Sequence, residues 1–311
     1  MSFSSDVKKE LCFVNLNDIE QKKAQLYGML IFGKTFKKDK IVFSSENPRV
    51  SACVSSLLEE LYMPIIEKET ALRPRNAEHK LSRITLINAD DCQRIADDFG
   101  HIGEDITLRV NRANIHNDEL VAAFLRGAFI GCGSISDPMK SYHIEFCIPH
   151  KNLSLDLCKI MKEINECSFT PKTVMRSGSY VVYLKESEQI CDLLTYIGAT
   201  NSAMEIMGTK AVKLVRNNIN RRINGEVANI GKIASASAKQ LEAIEKIKRN
   251  GGLEALPEDL REIAKLRLEN PEMSLRDLGQ NLTVKISRSG ANHRMQKILE
   301  IAQSQEALTN G

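Results

Sequence analysis

The pattern of apolar and polar positions over the first 200 residues occurs twice. In each copy a short apolar helix is followed by a strand, an amphipathic helix, two strands and a closing helix. The first copy places these elements at Leu26–Phe32, Ile41–Ser44, Val54–Tyr62, Ile65–Glu69, Ser82–Ile87 and Asp91–Phe99. The second places them at Phe124–Ile130, Tyr142–Ile148, Leu155–Ile164, Thr173–Arg176, Tyr180–Lys185 and Glu188–Tyr196. Two α/β units in one order predict a duplicated, pseudo-symmetric domain.

A glycine interrupts each of the two opening apolar helices. These glycines, Gly28 and Gly127, lie 99 positions apart and take matching places in the repeat. A glycine inside a helix costs about 1 kcal/mol relative to alanine, a cost that is tolerable where it lets two backbones approach closely. An incidental glycine in a plain buried helix is the alternative. Because the two positions match, we predict that the helices pack together through Gly28 and Gly127.

A long basic helix is predicted after the repeat, over residues 201–250. Apolar residues recur every three or four positions from Val212 to Ile244, which gives one helical stripe. Residues 1–200 have 25 Lys+Arg against 27 Asp+Glu, whereas residues 201–250 have 10 against 4. We expect Gly225 or Gly231 to bend or divide this helix. The residues predicted to contact phosphate are Arg216, Arg221, Arg222 and Lys232.

Three helices are predicted beyond Gly251. The first follows Pro257 and ends at Asn270-Pro271. Ser274 is placed to cap the second, Leu275–Asn281, and Ser287 to cap the third, Arg288 to about Gln303. A short helix, a turn and a second capped helix behind a supporting helix are typical of a helix-turn-helix, here over residues 274–303.

One face of the last helix has the chemistry needed to read DNA bases. Ala291, Met295, Ile298 and Ala302 share its apolar face, which leaves arginine, amide and histidine side chains opposite. Arginine suits guanine and amides suit adenine, and residues 285–299 include no acid to repel phosphate. A helical hairpin with a solvated polar face is the alternative. The predicted DNA-binding residues are Ser274, Arg276, Lys285, Ser287, Arg288, Ser289, Asn292, His293, Arg294, Gln296 and Lys297.

Composition narrows the class of protein, its location in the cell and the ligands that it could bind. The chain has 311 residues, 42% hydrophobic residues and a net charge of +3, an ordinary globular profile. No apolar run has the length of a membrane span or signal peptide, so we expect a cytoplasmic, nucleoid-associated protein with no membrane partner. The eight cysteines include no CxxC pair, so we interpret them as small core residues and predict neither a metal site nor a cofactor.

Three runs of sequence resemble the WhiA family, regulators of sporulation and cell division in Gram-positive bacteria. They are Phe124–Glu145, Arg216–Lys232 and Ile286–Ile298, and the resemblance covers nearly the whole chain. It implies an α+β fold with a duplicated LAGLIDADG-like α/β domain, a basic helical linker and an all-α helix-turn-helix domain. The expected segments are an N-terminal helical extension at 1–20, the duplicated domain at 21–200 with repeats at about 21–100 and 120–200, the linker at 201–250 and the helix-turn-helix domain at 251–311.

The resemblance also identifies the two positions at which a nuclease of this fold would carry its catalytic acids. In LAGLIDADG endonucleases an acid near the end of each central helix binds the catalytic metal, and the family's spacing puts these positions at Gly33 and Cys132. Magnesium prefers oxygen ligands, and metal-dependent phosphodiester cleavage needs carboxylates. We therefore predict that nuclease activity is lost and that the chain is not an enzyme.

The expected function is sequence-specific binding to double-stranded promoter DNA, with a role in cell division, sporulation or both. One alternative is a scaffold that binds a sigma factor or RNA polymerase, since the resemblance associates the family with sigma factors. Another is a metal-dependent nuclease whose metal ligands have moved. The N-terminal domain is left open as a surface for DNA, for a protein or for a small ligand.

Overall fold

The computed structural model describes residues 2–73, 76–102 and 107–309, and their side chains outside 71–79 and 305–309. The chain divides into two compact units, Met1–Lys213 and Leu214–Gly311. A single helix crosses the boundary between them, and each unit has its own hydrophobic core. No helix within the described ranges combines the length and the hydropathy that crossing a membrane requires.

Unit 1 contains the two copies of the repeat. The first copy comprises α2 (Ile19–Ile31), β1 (Thr35–Lys37), β2 (Lys40–Ser45), α3 (Pro48–Tyr62), β3 (Ile66–Arg73), β4 (Asn76–Leu86) and α4 (Ala89–Asp98). The second comprises α5 (Asp118–Cys132), β5 (Gly133–Ile135), β6 (Ile144–Ile148), α6 (Lys151–Lys162), β7 (Lys172–Arg176), β8 (Ser179–Leu184) and α7 (Ser187–Tyr196). A preceding helix, α1, spans Phe3–Cys12.

Each copy forms a four-stranded antiparallel sheet, and the two sheets have the same strand order. That order is β1-β2-β4-β3 in the first and β5-β6-β8-β7 in the second. The predicted duplication is therefore confirmed. The short strands β1 and β5, three residues each, were not predicted, because such short segments show no apolar alternation and pair only once a neighbouring strand is in place.

The two opening helices pack directly against each other through the predicted glycines. A Cβ atom on Gly28 would lie 2.2 Å from the carbonyl oxygen of Phe124, and one on Gly127 would lie 2.0 Å from that of Gln25. Both distances are too short for any side chain, so only glycine allows this approach. The helix-packing prediction for Gly28 and Gly127 is confirmed, and the incidental-glycine alternative is wrong.

The cysteines fit their predicted interpretation only in part. Cys92, Cys158 and Cys191 are buried, and all eight are free thiols. Cys147, in contrast, is exposed, because the alternation along β6 turns it away from the core that Phe146 and Ile148 enter. Interpreting Cys147 as a core residue was wrong.

The linker prediction needs one correction. Helix α8 runs from Thr200 to Asn250 without interruption, so neither Gly225 nor Gly231 divides it. No other part of the described structure lies within 4 Å of the Cβ position at either glycine, so no packing contact forces a bend there. The apolar stripe is exposed from Val212 to Ile230 and enters the core of unit 2 only further along, at Ala243, Ile244 and Ile247.

The described part of unit 2 beyond α8 contains a short 3-10 helix (Leu253–Ala255) and three α-helices, α9 (Glu258–Glu269), α10 (Leu275–Gln280) and α11 (Arg288–Thr309). Their core side chains, together with the end of α8, form one hydrophobic cluster. Helix α11 is longer than predicted, since it continues past Gln303 to Thr309. The predicted α+β class, with a duplicated α/β domain and a helical C-terminal region, is confirmed.

Candidate nucleic-acid interface

Helix α10 begins with the capping arrangement that the sequence predicts. The hydroxyl oxygen of Ser274 accepts a hydrogen bond from the backbone N–H of Asp277 at 3.2 Å and donates to the Asp277 carboxylate at 2.6 Å. These bonds satisfy an N–H group that the first turn of a helix would otherwise leave without a partner. Ser274 therefore fixes where the first helix of the motif starts.

The loop from Asn281 to Ser287 connects α10 to α11 and is held at both ends. The backbone N–H of Ile286 donates to the carbonyl of Gly279 at 2.9 Å, and a Cβ on Gly279 would lie 2.7 Å from the Ile286 carbonyl oxygen. Leu282 is buried in the core of unit 2. The loop is longer than the three or four residues of a simple helix-turn-helix, but these contacts fold it tightly back on α10.

Helix α11 presents its faces as its periodicity predicts. Ser287 caps it by accepting a hydrogen bond from the backbone N–H of Gly290 at 3.2 Å. The residues that pack it onto the other helices are Ala291, Met295, Ile298 and Ala302, all buried. The opposite face is therefore free to meet a ligand, and the rotation of the helix is fixed by its own core contacts.

Most of the predicted DNA-reading side chains lie on this outer face. Those that are exposed and make no hydrogen bond or ion pair with any residue that the structure describes are Arg276, Lys285, Arg288, Ser289, Asn292, His293, Gln296 and Lys297. Donors and acceptors without protein partners are free to bond base edges and phosphates. Six of these side chains belong to α11, Arg276 belongs to α10 and Lys285 to the loop between them, and all eight are open to solvent.

Arg294 differs from the other predicted cations. Its side chain is only 20% exposed and lies 3.6 Å from the Asp259 carboxylate at the start of α9. It also donates to the Asp259 carbonyl oxygen at 3.3 Å. Arg294 therefore joins α11 to α9 and is the predicted cation least available for phosphate. Ser274 and Ser287 also have structural roles, since each of them caps the start of a helix.

Sequence reasoning missed Arg267, which organises the turn before α10. This arginine is only 2% exposed, and its guanidinium donates to the carbonyl oxygens of Pro271 at 3.3 Å and Met273 at 2.5 Å. Burial lowers the pKa of its side chain. A cation just before a proline-containing turn was the available signal, but a charged residue in a polar segment is usually exposed.

Glu262 on α9 supports the loop from the other side. Its carboxylate accepts a hydrogen bond of 2.6 Å from the backbone N–H of Thr283. Hydrogen bonds from the backbone and side chain of Thr283 lower the pKa of Glu262. The supporting helix therefore holds the loop in place by a charge-assisted bond.

The four predicted cations of the linker are all exposed on α8. Arg222 pairs with Glu226 one turn further on, at 3.1 Å. Arg216, Arg221 and Lys232 make no ion pair with any residue in the described ranges. Exposed, unpaired cations suit phosphate contacts, and an exposed pair such as Arg222–Glu226 exchanges easily because it contributes little stability.

The two positions expected to carry catalytic acids lie just where the central helices end. Gly33 follows the end of α2, and Cys132 is the last residue of α5. Burial raises the pKa of Cys132 to about 12, so its thiol stays protonated at neutral pH. The Lys8 amine on α1 lies close to Cys132. Among the described residues, no group of three or more His, Cys, Asp or Glu is arranged to hold a metal ion.

Comparison with known proteins places this chain in a family. A model described as the WhiA C-terminal HTH domain matches residues 219–302, and one described as the WhiA LAGLIDADG-like domain matches residues 121–216. A probable cell division protein WhiA from Thermoanaerobacter sp. (strain X514) is 37% identical over 320 residues, covering 97% of each chain. The chain belongs to the WhiA family. A WhiA relative from Clostridium novyi (strain NT) is also 37% identical, covering 97% of this chain and 98% of its own.

Solved WhiA structures agree with this assignment. Full-length DUF199/WhiA from Thermotoga maritima is similar with a TM-score of 0.59 and 25% identity, covering 98% of this chain and 99% of that one. The N-terminal LAGLIDADG domain of DUF199/WhiA is similar in fold, with a TM-score of 0.51 and 22% identity over 63% of this chain and 90% of that one. Both units of the WhiA architecture are thus represented in this chain.

Proposed function

We propose that this WhiA-family chain is a sequence-specific DNA-binding transcription regulator that acts in cell division, sporulation or both, and that α11 reads the bases of promoter DNA. The observation that carries the proposal is the outer face of α11. Its first turns expose Arg288, Asn292 and Gln296, and none of these side chains bonds to another described residue. A helix of this kind enters the major groove with its N-terminal residues at the bases.

The contacts divide by chemistry. Arg288 suits the two acceptors of guanine, and Asn292 and Gln296 suit adenine. Lys285 and Lys297 flank this face, and we assign them to phosphate. The unpaired cations of α8 extend the phosphate-binding surface along the linker. Relatives are named probable cell division proteins, which supports the proposed cellular role.

Binding to a selected DNA site tests the assignment. Purified full-length protein would first enrich its preferred site from a genomic library, and fluorescence anisotropy would then measure affinity for that duplex. Arg288→Ala and Asn292→Ala are expected to weaken specific binding by about 1–3 kcal/mol each and to relax preference at one base pair each. Lys297→Ala should weaken all sequences alike and make the salt dependence less steep.

Lys265→Ala supplies the matched control, since Lys265 is an exposed lysine on α9 that makes no bond with any described residue. Its removal should leave both affinity and base preference unchanged. If Arg288→Ala and Asn292→Ala kept the base-pair preference of wild type, α11 would not be the element that reads the bases. If the affinity for the selected duplex did not change with salt concentration, the result would instead favour a scaffold whose target is a sigma factor or RNA polymerase.

We also propose that the LAGLIDADG-like unit no longer cleaves DNA. Neither Gly33 nor Cys132 can supply the oxygen ligands that magnesium prefers. The Lys8 amine interacts with Cys132, so it would repel a divalent cation at this helix end. The loss of both carboxylates and the presence of an amine support the same conclusion.

A further inference from the structure

A polar pocket lies in unit 1 beside the end of α5. It has a volume of about 930 Å³ and opens between the first turns of α1 and α3 and the start of β5. Its hydroxyl-bearing lining residues are Ser2, Ser4, Ser5, Ser44, Ser45 and Ser134. The hydroxyl of Ser44 is buried and has no hydrogen-bond partner among the described residues. A roomy pocket with an unsatisfied hydroxyl is suited to a polar ligand.

Three cations line the pocket, and Glu46 is the one carboxylate among its described lining residues. The cations are Lys8, Lys9 and Arg49, and none forms an ion pair or hydrogen bond through its side chain with any residue that the structure describes. The guanidinium of Arg49 lies 5.2 Å from the ring centre of Phe13, a contact that orients the arginine but leaves its N–H donors free. The lining residues therefore have an excess of two positive charges.

Lys8 is the central group of this pocket. Its side chain is half-buried, and desolvation lowers its pKa, although Cys132, Cys12 and Glu46 nearby oppose this effect. A buried cation without a paired anion is costly, and buried charges in proteins are normally paired. A bound anion would remove that cost. Because the protonated amine of a lysine is a hydrogen-bond donor only, Lys8 selects for an acceptor that carries negative charge.

We propose that this pocket binds a phosphate monoester of a small polyol, with Lys8 and Arg49 holding the phosphate group. A phosphate monoester has a charge of about −1.5 to −2 at pH 7, which matches the excess charge of the lining residues. The serine hydroxyls can then bond the hydroxyl groups of the ligand. The backbone N–H groups at the start of α1 and α3 add partial positive charge at the same place. The lining residues include no aromatic ring on which a nucleobase could stack.

Calorimetric titration of the full-length protein tests the proposal with glycerol 3-phosphate and glucose 6-phosphate, inorganic phosphate, and the unphosphorylated polyols. The phosphate monoesters are expected to bind at a single site, and the unphosphorylated polyols are not. Lys8→Met and Arg49→Gln should each weaken binding at least about tenfold, whereas Lys8→Arg should retain it. Lys151→Met is the matched control, because Lys151 is an exposed lysine outside the pocket and its removal should leave binding unchanged.

Each other outcome overturns the proposal. One is the absence of binding by any phosphate monoester at about 10 mM. Another is equal binding by wild type, Lys8→Met and Arg49→Gln, which would place the phosphate elsewhere, such as on α11. In a third outcome, the small phosphates do not bind, but the affinity for a nonspecific DNA duplex is lower in both variants than in wild type. Thermal melts would confirm that each variant is folded. If Lys8→Met does not fold, the binding measured with Arg49→Gln decides whether the pocket holds the phosphate.

Discussion

A methyl group at Gly127 would collide with the backbone of the opposing central helix. Its Cβ would lie 2.0 Å from the carbonyl oxygen of Gln25 and 2.9 Å from the backbone nitrogen of Met29. Both atoms are main chain, so no side-chain rotation relieves the contact. Since Cβ atoms essentially never approach within 3.0 Å, Gly127→Ala must push the helices apart by about 1 Å. All residues of Ala24–Ile31 in α2 and Ala123–Ile130 in α5 are buried.

The expected cost follows from two opposing effects. Overpacking a close-packed core destabilises by about 1–3 kcal/mol and occasionally more, and a backbone clash between two central helices belongs at the upper end of that range. Alanine in place of glycine within a helix recovers about 1 kcal/mol. We therefore expect Gly127→Ala to lower the free energy of unfolding of unit 1 by about 2 kcal/mol or more.

Urea denaturation followed by tyrosine fluorescence measures this change in unit 1 alone. All six tyrosines lie between positions 27 and 196, and the chain has no tryptophan. Gly208→Ala is the matched control, because Gly208 lies in α8 within unit 1 and no other described atom comes within 4 Å of its Cβ position. That variant should be more stable by up to about 1 kcal/mol. If Gly127→Ala were as stable as wild type, the close packing of α2 and α5 would not depend on glycine.

Two further predictions concern the proposed loss of nuclease activity and the loop of the helix-turn-helix. Supercoiled plasmid incubated with the purified protein and magnesium should stay intact, and cleavage that a Gly33 or Cys132 variant abolished would contradict the proposed loss of nuclease activity. Glu262 has a pKa below its ordinary value of 4.5 in the folded chain, so its hydrogen bonds with Thr283 stabilise the fold above that pH, and the stabilisation is lost as pH falls through the folded pKa. Denaturation followed by circular dichroism should therefore show Glu262→Gln less stable than wild type at pH 7 and the two proteins converging as the pH falls through the lowered pKa of Glu262; a constant difference would refute this role.

The repeat and the helix faces could be predicted because local physics sets them. Apolar residues at helical spacing must face a core whatever lies opposite, so Ala291, Met295 and Ile298 defined the buried side of α11 in advance. The glycines were informative for a similar reason, since Gly28 and Gly127 are unfavourable in a helix unless another backbone lies against them. Only the structure identified the opposing atoms, on Gln25 and Phe124.

Several features depended on contacts that the pattern of apolar and polar positions does not show. The strands β1 and β5 are too short to show a pattern and exist because β2 and β6 pair with them. Arg267 is buried because the turn before α10 folds the carbonyl oxygens of Pro271 and Met273 back onto its guanidinium, and the residue types in that turn do not reveal this geometry. Arg294 belongs to the outer surface by periodicity, but Asp259 of α9 draws it away from solvent.

The sequence by itself determined the order of the elements, the duplication, the two glycine-bearing helices and the side of α11 that faces solvent, because periodicity and backbone preference act over a few residues. Tertiary structure decided which cations stay unpaired and which are held by a carboxylate or a carbonyl oxygen. It also assembled the pocket around Lys8, from α1, α3 and β5, which are separated by up to about 130 positions. The Arg294–Asp259 pair and the pocket arise where distant segments meet, so no short window of the sequence could have shown them.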